Sequence, residues 1–231
     1  MPSPMPTLSG PGIILSGSHI SKPDLLSDDL FNKWYNTVHI PDVLSTGGVT
    51  RATRYTDANP SAKNKYISIY EIPDLSITSS EAFKNIPMTS GILPDGANIH
   101  DLANFDTRFY ELVQVGDGSD EQEEWFPSIV SAGVQPSPTQ LDIFDRYMRD
   151  EHLEQMSREP AWKRSRRYKL VHSIRAAENP TEYLTLYEFG EGDKLGKEVE
   201  ACVPMTEGTK NLIDTAVKFE LGVYRRIGAF S

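Results

Sequence analysis

The chain states one pattern twice. Phe31-Asn32-Lys33-Trp34-Tyr35 followed by Val38-His39 returns as Phe144-Asp145-Arg146-Tyr147-Met148 followed by Glu151-His152. Lys65-Tyr66-Ile67-Ser68-Ile69-Tyr70-Glu71 returns as Glu182-Tyr183-Leu184-Thr185-Leu186-Tyr187-Glu188. The two histidines are 113 positions apart, as are Tyr55 and Tyr168; Tyr70 and Tyr187 are 117 apart, and Tyr110 and Tyr224 are 114 apart. A repeat of this length is a domain-sized unit, well beyond the period of about 20–50 residues that marks a solenoid. Whatever the chain folds into must therefore be assembled from two copies of one supersecondary unit.

Each copy carries the same succession of periodicities. Gly12 to His19 is an apolar run of strand length. Ser27-Asp28-Asp29 caps a helix that carries Leu30, Phe31, Trp34, Tyr35 and Val38 at helical spacing. Pro41 disfavours helical geometry at Ile40, so this helix is expected to end near His39, with a further turn over Pro41 to Leu44. Val49 to Tyr55 and Lys65 to Ile72 form two strands around an Asp-Ala-Asn-Pro turn. A weak helix around Ser79 to Lys84 and a strand from Phe105 to Val115 complete the half. The second half repeats the order with Pro127 to Val134, a helix from Thr139 to Met156, Lys163 to Ile174, Glu182 to Phe189, a helical region across Leu195 to Val217, and Lys218 to Ile227. The order is β-α-β-β-α-β, the ferredoxin-like split unit. Residues 1–115 are expected to form the first repeat, the Gly/acid-rich stretch 116–126 a linker, and 127–231 the second repeat. Two such sheets, each with helices on one face, bury their bare faces against one another. The expected fold is α+β, two tandem ferredoxin-like repeats closing an intramolecular α/β barrel.

Composition narrows the partners. With 33 acidic against 23 basic side chains and a net charge of −10, the chain lacks the basic footprint that nucleic acid or an anionic membrane requires. The single cysteine, Cys202, excludes a disulfide framework and fits a reducing compartment; its neighbours Glu198, Glu200 and Val203-Pro204 mark it as an inert thiol. Met1 to Gly12 has no basic n-region and no apolar h-region, and the two Asn-Pro sequences fail as glycosylation acceptors. The expectation is a cytoplasmic protein, monomer or homodimer, with a small-molecule substrate. There is no phosphate loop, dinucleotide fingerprint or His-x-x-Glu-His spacing, so neither a cofactor nor a metal is expected.

The run Phe31-x-x-Trp34-Tyr35-x-x-x-His39-x-Pro41, followed by Gly48-Val49-x-x-Ala52-x-x-Tyr55, resembles the EthD-like members of the dimeric α/β barrel superfamily, in their fused two-repeat fungal-type form. The likeness runs over the first half. In the second, Tyr147-Met148 replaces Trp-Tyr and Leu153-Glu154 replaces Ile-Pro. The resemblance implies a cofactor-independent lyase or cyclase that dehydrates, decarboxylates or closes a ring on an aromatic polyketide-type intermediate of secondary metabolism. It also admits a cofactor-free or haem-dependent monooxygenase, or a non-catalytic small-molecule binder.

On a wheel of about 100° per residue the apolar stripe of the first helix centres near 55° from Leu30, and His39 falls near 180°, at its margin. His152 takes the same place in the second half. An imidazole with its ordinary pKa of about 6.5 suits proton transfer at neutral pH, and His39 and His152 are the candidate catalytic residues. A helix-terminal histidine that merely favours the dipole is the competing reading. Trp34, Tyr35, Tyr55, Tyr70 and Tyr187 are candidate substrate-lining residues, with His19 at the end of the first strand. The same phenols serve equally as interior side chains bonded to one another. Along the third strand of each half an aliphatic face (Ile67, Ile69) is expected under the helices and a tyrosine face (Tyr66, Tyr70) between the sheets. The basic run Lys163 to Lys169 is expected to be a solvated or acid-paired strand, with capture of a substrate carboxylate as the competing reading, and His100 lies in a candidate lid from Pro87 to Ala103.

Overall fold

The computed structural model describes residues 7–116, 125–174, 179–195 and 203–231. Cys202, most of the acid-rich stretch after Gly116 and part of the expected helical region after Leu195 lie outside those residues. The first repeat comprises β1 (Gly12–Ile20), α1 (Asp28–Trp34), α2 (Ile40–Leu44), β2 (Arg51–Asp57), β3 (Tyr66–Ile72), α3 (Glu81–Lys84) and β4 (Ala103–Gly116). The second comprises β5 (Ser128–Gln135), α4 (Leu141–Tyr147), α5 (Leu153–Met156), β6 (Trp162–Ile174), β7 (Tyr183–Phe189), α6 (Glu207–Thr215) and β8 (Lys218–Phe230). The strands form a closed antiparallel barrel in the order β1-β3-β2-β8-β5-β7-β6-β4, so the α+β architecture expected from the duplication is the one adopted. The chain divides into two compact units: Met1–Glu111 with Val171–Asn179 and Ile227–Ser231, and Leu112–Leu170 with Pro180–Arg226.

In the first unit β1 lies between β3 and β4, and β2 flanks β3. Ile14 pairs with Tyr70 and Phe109, and Ser16 with Ser68 and Thr107, which fixes a continuous sheet face. Ser27 caps α1, its hydroxyl accepting from the Leu30 N–H at 3.2 Å, and Asp28 and Asp29 favour the positive end of the helix dipole. Phe31, Trp34, Tyr35, Ile40 and Val43 then bury against Ala52, Tyr66, Tyr70, Ile72 and Leu75.

Three expectations are corrected here. The helix does not stop at His39. Ile40 keeps helical dihedrals (φ −63°, ψ −46°), and Tyr35–His39 forms a single π-turn in which the Ile40 N–H donates to the Tyr35 carbonyl. Proline is not its cause. The second repeat makes the same turn over Met148–His152, with the Leu153 N–H on the Met148 carbonyl, and carries Glu154 where the first has Pro41. The sheet faces are also reversed. Tyr66 and Tyr70 lie under the helix, because the helix supplies their polar partners: the Tyr66 hydroxyl donates to Asp28 at 2.6 Å and the Tyr70 hydroxyl to Tyr35 at 3.3 Å. Ile67 and Ile69 are buried on the opposite face. Finally, the candidate lid is pinned, with Leu93, Ile99 and Leu102 all inside the core.

The second unit repeats the arrangement around Val134, Phe144, Tyr147, Met148, Leu153, Met156, Tyr187 and Phe189. Its basic strand is acid-paired: Arg164 and Arg166 share Glu188, Arg167 meets Asp145 and Lys169 meets Glu182. Among the described residues no helix is long and apolar enough to cross a membrane.

Gly12 stands at the start of β1, where it pairs with Ile72 of β3 and Glu111 of β4. A Cβ there would fall on the Tyr110 carbonyl oxygen and 2.8 Å from Leu75 Cδ1. Gly12→Ala should lower stability by about 1–3 kcal/mol, the usual penalty for overpacking. Gly91→Ala, with nothing within 4 Å, should be neutral. Urea midpoints of the two variants measure the difference.

Candidate functional site

The π-turn decides what the first helix presents to the sheet. In regular α geometry residues five apart diverge by about 140°. The extra residue in the turn brings them into line, and the His39 ring stacks on Trp34, five positions earlier, at 4.9 Å and 17°. Tyr35 stands edge-on to His39 at 5.1 Å and Tyr70 at 6.4 Å. The expected placement of His39 at the margin of the stripe is thus corrected: the wheel assumed an uninterrupted 3.6-residue period.

The cluster is aromatic, buried and short of hydrogen-bond partners. His39 is partly exposed, yet its Nδ1 is buried and unpartnered, and the Trp34 Nε1 is buried without an acceptor. Burial pushes the His39 pKa down to about 4, helped by the positive charges of His100 and Arg54. The ordinary imidazole value assumed from sequence does not apply, and the ring is neutral throughout the physiological range. Burial also raises the Tyr70 phenol well above its usual range, so it serves as a neutral donor. Arg54, at 0% exposure, lies over the Tyr35 ring at 4.2 Å and donates from Nη1 to the Asn36 Oδ1 at 2.8 Å.

Four of the sequence-derived candidates, Trp34, Tyr35, His39 and Tyr70, are therefore brought together. Two others are not. Tyr55 is buried on the opposite face of β2, paired with Ile67. His19 alternates away from Ser16 and Ser18, and both of its nitrogens are used, by Asn64 at 3.3 Å and Asn104 at 3.0 Å. His152 and Tyr187 meet in the second unit at 5.9 Å, but there the imidazole is tied down. Its Nδ1 lies 2.9 Å from the Tyr147 hydroxyl and 3.3 Å from Gln155, and the Tyr147 hydroxyl also reaches Thr209 at 2.8 Å. Sequence reasoning left Arg54 and His100 outside the site. The signal that could have included Arg54 is that Asn32 stands where the second repeat has Asp145, which removes a carboxylate from beside the arginine pair.

The His39 ring is stacked on Trp34 with Tyr35 and Tyr70 edge-on to it, and the His152 Nδ1 is engaged by Tyr147. Among the described residues no three His, Cys, Asp or Glu side chains converge as a metal site would need.

No family model matches the chain. Core atranone cluster (CAC) protein 1 of Stachybotrys chlorohalonatus is 21% identical over 93% of this chain and 94% of its own length. An anthrone oxidase-like protein of known structure superposes with a TM-score of 0.61 at 10% identity, covering 95% of this chain and 93% of its own. A candidate monooxygenase from Fusobacterium nucleatum gives 0.54 at 15% identity over 97% and 95%, and one from Lactobacillus acidophilus 0.52 at 10% over 96% of each chain. The fold is that of the ferredoxin-like dimeric α/β barrels.

The depressed His39 value makes a pH prediction. The unfolded chain protonates its imidazole near 6.5 and the folded one near 4, so the unfolded state takes up the proton first as pH falls. The stabilisation carried by the neutral ring is complete above pH 6.5 and is lost between 6.5 and 4, by up to about 3 kcal/mol. His152, also lowered by burial, acts in the same direction. Denaturation at pH 7.5 and 4.5 should show a smaller acid-induced loss for His39→Gln than for the unmodified protein.

Proposed function

We propose that the chain is a cofactor-independent lyase or cyclase that acts on an enolisable aromatic polyketide-type intermediate, with His39 as general base and acid. One observation carries this reading: a neutral imidazole whose buried Nδ1 has no hydrogen-bond partner sits in an aromatic cluster beside an indole N–H that also lacks one. Unused donors and acceptors inside a protein are costly, and they gather where a ligand completes them.

The depressed pKa makes His39 a weak base in the empty protein and its imidazolium a strong acid. The imidazole nitrogen takes the proton from a carbon next to a carbonyl, and the electrons move onto the carbonyl oxygen as an enolate. The resulting imidazolium is acidic. It returns the proton to a departing hydroxyl, releasing water, or to a carbonyl oxygen attacked during ring closure. Burial disfavours imidazolium in the empty protein, but a neighbouring enolate compensates it, so the stabilisation grows as the transition state is reached. The Trp34 N–H is available to the same oxygen, and Tyr35 and Tyr70 wall the ring system. The likeness to a fungal cluster protein fits a place in secondary metabolism.

Oxygenation is the second reading, favoured by the fold neighbours described as anthrone oxidase-like and as monooxygenases. An enolate of this kind is also the electron-rich species that O₂ attacks without a cofactor. An aromatic β-hydroxy ketone offered in an oxygen-electrode cell separates the two: water loss without O₂ uptake supports the lyase, stoichiometric uptake the oxygenase. His39→Ala should lower kcat about 10²–10⁴-fold with folding retained. His152→Ala, whose histidine is already bonded, should stay within about twofold of the unmodified rate. Full activity in both variants would dismiss histidine catalysis.

A further inference from the structure

Each repeat holds one arginine at the same place, Arg54 and Arg167, 113 positions apart, and surrounds it differently. Arg167 is neutralised, with Nη2 on Asp145 at 3.0 Å and Nη1 on the Gln114 Oε1 at 2.7 Å. The corresponding acceptors in the first unit are missing. Asn32 replaces Asp145 at the same 113-residue offset, and Gly228 replaces Gln114 at the 114-residue offset that relates Tyr110 to Tyr224. Asn32 turns its amide nitrogen to the Tyr66 hydroxyl at 3.4 Å, and its Oδ1 has no partner. Gly228 has no side chain to offer; a Cβ there would stand 3.8 Å from the Asn36 Oδ1.

Arg54 is left fully buried with one side-chain hydrogen bond among the described residues. Its Nε and Nη2 have no acceptor, and among the described residues no carboxylate pairs with it. Rings take the place of charge: Tyr35 at 4.2 Å, Tyr66 at 5.5 Å and Phe31 at 5.7 Å from the guanidinium carbon. Such faces offset part of the desolvation of a cation that does not give up its proton, but they satisfy none of its N–H groups. Tyr35 joins this arginine to the histidine, its face under Arg54 and its ring edge-on to His39 at 5.1 Å.

We propose that Arg54 is an anion receptor, and that the substrate of the His39 site presents it with an ionised oxygen, either a carboxylate or the enolate formed in the reaction. With no carboxylate at position 32 and no amide at position 228, the guanidinium is not committed to the internal pairing that holds Arg167. Two free N–H groups on adjacent nitrogens form the fork that a carboxylate or a 1,3-dicarbonyl enolate fills. The inference rests on the placement of the site at His39, but not on the reaction performed there.

Calorimetric and ultraviolet titrations with three small probes test it: benzoylacetate, its methyl ester and 1-phenyl-1,3-butanedione. If the anion is a carboxylate, benzoylacetate binds at least about tenfold tighter than its ester. If it is an enolate, the bound diketone shows its enolate band at least about one pH unit below its position in free solution. Asn32→Asp restores the internal acid and should abolish whichever preference is seen. Arg54→Met should abolish it too, while melting no lower than the unmodified protein; Arg167→Met, which leaves Asp145 with Arg149 alone among the described residues and the Gln114 amide oxygen without its donor, should melt lower. No anion preference in the unmodified protein, or a preference that survives both Asn32→Asp and Arg54→Met, overturns the proposal. If Arg54→Met fails to fold, Asn32→Asp decides alone. The same titrations on His39→Ala keep the two readings apart. Anion preference retained with turnover lost supports both. Anion preference absent with turnover intact in the unmodified protein overturns the receptor and leaves the histidine mechanism standing.

Discussion

The hydrogen bond from the Ile40 N–H to the Tyr35 carbonyl, five residues back rather than four, is the constraint on which the candidate site depends. It inserts one residue into an otherwise helical run and rotates the C-terminal part of that run into a new register. Before it, Phe31 and Trp34 face the sheet; after it, Ile40 and Val43 return to the same core. In the second repeat Phe144 and Tyr147 precede the turn and Leu153 and Met156 come after it. Apolar burial on both sides, worth about 1.5–3 kcal/mol for each large side chain, outweighs the poorer geometry of a single π-turn. The histidine is the residue this registration moves. In each repeat it ends beside the aromatic ring five positions earlier.

From this shared frame the repeats part on charge and hydrogen bonding. In the second unit the counterparts are engaged internally: His152 with Tyr147 and Gln155, and Arg167 with Asp145 and Gln114, while Arg164 and Arg166 pair with Glu188. The first leaves the Trp34 indole, the His39 Nδ1 and two guanidinium nitrogens of Arg54 without partners. An internal ion pair and an external anion compete for the same donors, so a unit cannot use its arginine fully for both. The difference arises from very few positions, chiefly Asn32 against Asp145 and Trp34 against Tyr147.

Much of the fold was legible because strand and helix periods do not depend on context. The offset between His39 and His152, the alternation through Tyr66 to Tyr70 and the Ser27 cap were enough to order the elements. The errors came where tertiary packing overrode a local rule. Pro41 tolerates helix continuation because the π-turn shifts the preceding bond onto Ile40. The tyrosine face of β3 turns towards the helix because Asp28 and Tyr35 wait there with hydrogen-bonding groups. Of the site, Trp34, Tyr35, His39 and Tyr70 could be named from sequence, whereas Tyr55 and His19 could not be separated from them. Period-two alternation states that neighbours face opposite ways, but not which way faces the ligand.

By itself, then, the sequence determined the duplication, the β-α-β-β-α-β order and the acidic surface, all of which derive from composition and periodicity along the chain. Tertiary structure alone decided that His39 is stacked and neutral, and that Arg54 is buried with no acid paired to it among the described residues. Both are properties of desolvation and of partners distant in sequence. A pKa or an unmet hydrogen bond exists only once the groups around it are in place.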